Sequence, residues 1–120
     1  MQSLIFELKS NGNIEIQEEL PYYFHQNMLH FKVENTLYEY HLEKDIFKKK
    51  EKDSVITILP KKKEMTIELL ENHAVFDFPL SDISLNREDE KIEITYTFLN
   101  PEKTTNCIVI NYHAKVVDKK

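Results

Sequence analysis

The run Lys91-Ile92-Glu93-Ile94-Thr95-Tyr96-Thr97-Phe98 decides the fold of this chain. Ile92, Ile94, Tyr96 and Phe98 alternate with Lys91, Glu93, Thr95 and Thr97. Side chains of an extended strand point to opposite faces in turn, so the run is a strand with one buried and one solvated side. The same alternation recurs outward from it in both directions. It predicts strands near residues 3–9, 13–23, 28–33, 36–42, 46–50, 54–59, 65–70, 74–78, 82–87, 91–99 and 107–117. No segment of ten or more residues keeps a 3.6-residue apolar stripe; the nearest, from Gln17 to Phe24, is interrupted by Pro21. Many short strands with short polar separators predict an all-β protein, with an antiparallel sheet forming a single β-barrel domain over residues 1–120.

Register can be tested wherever the apolar faces of neighbouring strands must coincide. A three-residue loop, Ser10-Asn11-Gly12, sets Leu8 opposite Ile14 and Phe6 opposite Ile16. A two-residue Asn11-Gly12 turn mixes the faces, so the longer loop is expected, with Gly12 in the left-handed region. A Glu71-Asn72 turn pairs Leu69 with Ala74, Ile67 with Phe76 and Met65 with Phe78. A Glu88-Asp89 turn pairs Leu85 with Ile92 and Ile83 with Ile94. Across the loop carrying Pro101, Phe98, Tyr96, Ile94 and Ile92 are expected opposite Ile108, Ile110, Tyr112 and Ala114.

Composition narrows the chemistry. A chain of 120 residues buries roughly two-thirds of its unfolded surface, enough for a core without staples. No apolar run approaches the roughly 18 residues of a spanning helix, so no membrane partner is expected. The N-terminus lacks a basic region and reaches Glu7 too soon for a secretory signal. Cys107 is the one cysteine, unable to form an internal disulfide, which fits a reducing cytoplasm. Gly12 is the one glycine, and a phosphate cradle needs several, so neither a P-loop nor a dinucleotide fingerprint exists. No nucleophile elbow and no His-Glu-x-x-His pair is present. These absences favour a non-enzymatic protein without a cofactor, leaving only a site dispersed over distant strands as an enzymatic alternative.

Charge is concentrated between Lys44 and Lys63, where eight lysines oppose Asp45, Glu51 and Asp53. That window sums to +5 and leaves -10 for the rest of the chain. It holds one aromatic residue, Phe47, and no arginine, whereas base recognition uses stacking rings and guanidinium forks. A solvated hairpin whose lysines discourage edge pairing is therefore expected, without nucleic-acid binding at physiological salt. The histidines, at 25, 30, 41, 73 and 113, share no metal-ligand spacing. His25 and His73 fall at turns, while His30 and His113 are expected to face outward. Cys107 lies off the Ile108 face and reads as an unreactive rim thiol. Tyr38, Tyr40, Tyr96 and Tyr112 are the candidate ligand-binding residues, since aromatic rings with a few hydroxyls suit a mostly apolar ligand with polar ends.

One family likeness rests on the order Thr36-Leu37-Tyr38-Glu39-Tyr40-His41-Leu42, Ile46-Phe47-Lys48-Lys49-Lys50 and Met65-Thr66-Ile67-Glu68-Leu69. Phe76-Asp77-Phe78-Pro79-Leu80 and Lys91-Ile92-Glu93-Ile94-Thr95-Tyr96 continue it. This pattern resembles the YwiB-like group of small bacterial proteins of unknown function. The resemblance implies a calycin-like barrel, akin in shape to lipocalins, and a ligand-holding role. Residue patterns and resemblance together point to binding of a small, largely apolar ligand inside the barrel. The alternative is a protein-interaction module, a homodimer included, using an exposed strand edge or the Lys44–Lys63 hairpin.

Overall fold

The computed structural model describes residues 3–99 and 103–112. It contains eleven strands: β1 (Ser3–Ser10), β2 (Asn13–His25), β3 (Met28–Val33), β4 (Thr36–His41), β5 (Ile46–Lys50), β6 (Ser54–Leu59), β7 (Glu64–Leu69), β8 (Ala74–Asp77), β9 (Leu80–Glu88), β10 (Lys91–Phe98) and β11 (Thr105–Tyr112). Each overlaps a strand expected from the alternation, and the one further element is a 3-10 turn at Pro60–Lys62. The expected strand over 107–117 extends beyond Tyr112, outside the described residues, as do His113, Ala114 and Pro101.

All neighbouring strands are antiparallel, in the order β8-β7-β6-β5-β4-β3-β2-β1-β11-β10-β9. Every neighbouring pair but one joins consecutive strands; the exception is β1 with β11. The long strand β2 turns the sheet on itself. Its first part pairs with β1 up to Pro21, and Tyr22 to His25 pair with β3. Two concave faces therefore meet over one core, in which Leu4, Phe6, Leu29, Tyr40, Phe47, Ile58, Ile83, Ile92, Ile94 and Ile110 are almost inaccessible. Of the residues expected to share this core, Phe98 is only partly buried against it.

The sheet curls into a half-barrel rather than closing. β8 and β9 follow one another in the chain yet end the strand order at opposite edges. Phe78 and Pro79 carry the chain across the corner, and proline has no N–H to give to a ladder. Phe78 N–H donates to the Met65 carbonyl at 2.9 Å, and its ring lies 5.7 Å from that of Phe98. The corner is filled by packing instead of by strand pairing.

Three registers differ from expectation. The Asn11-Gly12 turn has two residues after all, with Ser10 opposite Asn13 and both turn residues at positive φ. A bulge between Leu8 and Lys9 then restores the faces, setting Leu8 opposite Ile16 and Leu4 opposite Leu20. The β9–β10 pairing is displaced by two residues, with Ile94 opposite Leu85 and Tyr96 opposite Ile83. The turn is Asp89-Glu90, and Glu90 adopts a φ of 65°. The β10–β11 pairing is displaced by four, with Ile92 opposite Ile110 and Ile94 opposite Ile108. Both displacements are even, so they keep every side chain on its face, and alternation alone cannot choose among them. The β7–β8 register is as expected, with Leu69 opposite Ala74 and Ile67 opposite Phe76.

Candidate functional site

The inner face of β4 carries Thr36, Tyr38 and Tyr40, and that of β5 carries Phe47 and Lys49, by the same period-two rule. Tyr38 stands opposite Lys49, and Tyr40 opposite Phe47. The two tyrosines, one turn of the pleat apart, face different ends of the core. Together with their cross-sheet neighbours they define two sites.

At the first, an apolar cavity of about 60 Å³ lies between the curled faces. Phe6, Phe47, Ile58 and Met65 form much of its wall, and the rings of Tyr38 and Tyr96 complete it. Tyr38 is stacked on Phe31 at 5.2 Å and 12°, with Phe6 at 4.9 Å. Burial, then the nearby Glu51 carboxylate and Tyr96, push its hydroxyl up to about 12. It stays a neutral phenol. Burial also raises the Tyr96 hydroxyl, partly offset by a hydrogen bond with Asn106.

Tyr38 and Lys49 also line a wider cleft that opens beside the cavity. The cleft lies where the first half of β2 pairs with β1 and the end of β3, Lys32 and Val33, has no β2 partner. Glu15 and Glu18 come from that half of β2, Glu34 from the β3–β4 turn and Glu51 from the end of β5. Lys49 Nζ lies 3.8 Å from Glu51.

At the second, Tyr40 is wholly buried and its hydroxyl donates to Asp45 Oδ1 at 2.5 Å. Asp45 sits in the β4–β5 turn at a φ of 55°. Arg87 Nη1, from β9 on the facing sheet, donates to the same oxygen at 2.6 Å and to the Leu42 carbonyl at 3.1 Å. Lys61 Nζ is 3.0 Å from Oδ2. Burial alone would raise the Asp45 carboxyl, but hydrogen bonds from Tyr40, Lys61 and Arg87 outweigh it and hold the group below its ordinary value. Burial and the Asp45 carboxylate drive the Tyr40 hydroxyl far up. This is a clamp between the two sheets. Tyr112 is packed at the same end, against Tyr22 and Phe24.

The four candidate tyrosines thus divide. Tyr38 and Tyr96 share the cavity, whereas Tyr40 and Tyr112 lie at the far end of the core. Lys49 was hidden within Lys48-Lys49-Lys50. Counting two residues on from buried Phe47 would have placed it on the inner face, with Lys48 and Lys50 outside.

The other polar residues singled out in the sequence lie on the outer faces. His30 faces outward as expected but is covered, stacked on Tyr23 at 4.7 Å with Nδ1 3.5 Å from Glu39. Lys50 reaches the same carboxylate at 3.2 Å. The basic window is therefore dispersed, with Lys49, Lys50 and Lys61 each beside a carboxylate and on different sides of the sheet. Burial and Glu93 push the Cys107 thiol up against a smaller lowering from Thr95, which disfavours a thiolate nucleophile. No helix among the described residues is long and apolar enough to cross a membrane. Comparison with protein-family models, curated proteins and solved structures finds no match.

Proposed function

We propose that the protein binds a small amphiphilic molecule, with its apolar part in the cavity between the sheets and its polar end in the adjoining cleft. The observation that carries this is that Tyr38 and Lys49 line both spaces, the apolar cavity and the polar cleft beside it. An apolar chamber with a few polar groups at its mouth is the usual form of a small-molecule site. Size limits the ligand. A cavity of about 150 Å³ takes benzene, whereas this one has room for about four to six water-sized groups. The apolar part is a chain of about four carbon atoms rather than a fatty acyl tail. A calycin-like kinship, cytoplasmic location and non-enzymatic role are consistent with this proposal, and Tyr38 and Tyr96 are its ligand-binding tyrosines.

Titration of the full chain with 1-butanol, followed by nuclear magnetic resonance, tests it. Saturable shifts should be confined to Tyr38, Tyr96, Ile58 and Met65, and Leu8→Trp, at a residue that also lines the cavity, should remove them by filling the chamber. Shifts that never saturate, or that scatter over the surface, would reject ligand binding here.

A second function is favoured by a separate observation. Val75 and Phe76 on edge strand β8 are 59% and 54% exposed, beside backbone groups that no strand among the described residues pairs. Interaction through this edge, a second copy included, is the alternative function. Sedimentation velocity should then show a concentration-dependent dimer that Val75→Lys abolishes; a monomer at all concentrations removes the homodimer.

A further inference from the structure

We propose that Asn11-Gly12 is a self-modifying site, at which Asn11 loses its side-chain amide and converts to isoaspartate, weakening the β1–β11 pairing. The reacting groups belong to the chain itself, with water as the co-reactant. The Gly12 main-chain nitrogen gives up its proton and attacks Asn11 Cγ. An N–C bond closes a five-membered imide, the Cγ–Nδ2 bond breaks, and ammonia leaves with the proton. Water then opens the imide at one carbonyl to give aspartate, or at the other to give isoaspartate. No oxidant or reductant is needed.

Asn11 is the one asparagine of the chain followed by glycine, and without a Cβ the attacking nitrogen is unhindered. The pair forms the exposed two-residue turn between β1 and β2, with Ser10 opposite Asn13. A Cβ placed on Gly12 would meet nothing within 4 Å, so no neighbour shields the turn. Thr105 N–H donates to Asn11 Oδ1 at 3.0 Å. A donor on that oxygen makes Cγ more electrophilic and stabilises the oxyanion formed on attack. The same contact makes the change consequential. Asn11 N–H donates to the Thr105 carbonyl at 2.7 Å, so main chain and side chain both hold β11. Aspartate keeps an acceptor oxygen in the same place. Isoaspartate routes the main chain through the former side chain, which adds a carbon to a turn built for two residues and displaces that oxygen.

The test incubates the folded full chain in mildly alkaline buffer and maps samples by tryptic digestion and mass spectrometry. The fragment Ser10–Lys32 holds Asn11 together with Asn13 and Asn27, both exposed, as internal comparators. Asn27 also sits at a positive φ, 64°, but is followed by Met28. The mass gain of an amide-to-acid change should accumulate at Asn11 severalfold faster than at either comparator, and faster still as pH rises. Protein enriched in isoaspartate should melt several degrees below fresh protein, whereas Asn11→Asp should melt close to it. Equal modification of the three asparagines overturns the site, as does an Asn11 that stays intact while the urea-unfolded chain is converted. An isoaspartate form that melts with the fresh protein overturns the effect on the β1–β11 pairing.

Discussion

Replacing Ile94 with alanine should lower the unfolding free energy by about 2–5 kcal/mol. Ile94 is completely buried on β10, opposite Ile108 on one side and Leu85 on the other. Truncation removes three carbons from a packed interior, and the pairing strands on both flanks limit how far the space can collapse. Its chain neighbours provide the control. Glu93 and Thr95 lie on the other face, where each meets Cys107 through weak contacts of 3.7 and 3.5 Å. Alanine at either should cost well under half as much. Chemical denaturation of the three variants, with an unchanged denaturant slope, measures the difference. Equal losses at Glu93 and Ile94 would mean that the faces are wrongly assigned.

The Asp45 clamp yields the other large effect. Asp45→Asn keeps a residue that tolerates positive φ and nearly preserves shape, so the charge is what changes. The Tyr40 and Arg87 hydrogen bonds lose their ionised acceptor, and the protein should be destabilised by about 1.5–3 kcal/mol. Tyr40→Phe should cost less, because Arg87 and Lys61 still satisfy the carboxylate. The pH dependence has a definite sign. The folded-state pKa of Asp45 is depressed, so its contribution is full above its ordinary value of 3.8 and disappears as pH falls through the lower folded value. The gap between native protein and Asp45→Asn should therefore be constant at neutral pH and close in acid. A gap that widens on acidification would show that the carboxyl is protonated in the folded protein.

Period-two alternation located all eleven strands because face is a local property, fixed by each strand's own residues. Pairing is not local in that sense. The displacements at β9–β10 and β10–β11 are even, and an even slip exchanges one apolar partner for another on the same face. At β9–β10 the observed register goes with the geometry of the Asp89-Glu90 turn. Glu90 accepts a left-handed φ, a conformation more often given to glycine or asparagine, and so gives no warning in the sequence. The same holds widely in this chain, where nine non-glycine residues among those described adopt positive φ. The Asn11-Gly12 pair was a true signal, and the mixed faces that argued against it are repaired by a bulge whose position no residue announces.

The candidate site was legible to a similar depth. Aromatic inner-face positions at Tyr38 and Tyr96 follow from alternation. Their convergence on one cavity, and the separation of Tyr40 and Tyr112 from it, depend on how the sheet curls. The Asp45–Arg87 bond joins residues 42 positions apart on facing sheets. No spacing rule reaches across that distance, and a lone arginine on an alternating strand looks solvent-facing.

The strand order has a consequence for how the chain reaches this structure. Hairpins between consecutive strands can form early, each closing a short loop. The seam between β1 and β11 is different: Leu4 pairs with Tyr112, so nearly the whole chain must be organised before it forms. Closing a loop of that length costs about 4 kcal/mol in chain entropy, against roughly 1–2 kcal/mol for a tight hairpin. The meander can thus assemble piecewise, but the curl is committed only when its first and last strands meet. Asn11 acts at that meeting point, its backbone N–H donating to the Thr105 carbonyl at 2.7 Å and its side-chain oxygen accepting from Thr105 N–H at 3.0 Å. On sequence separation the seam is expected to form last, where an asparagine already committed to the first turn also receives the last strand.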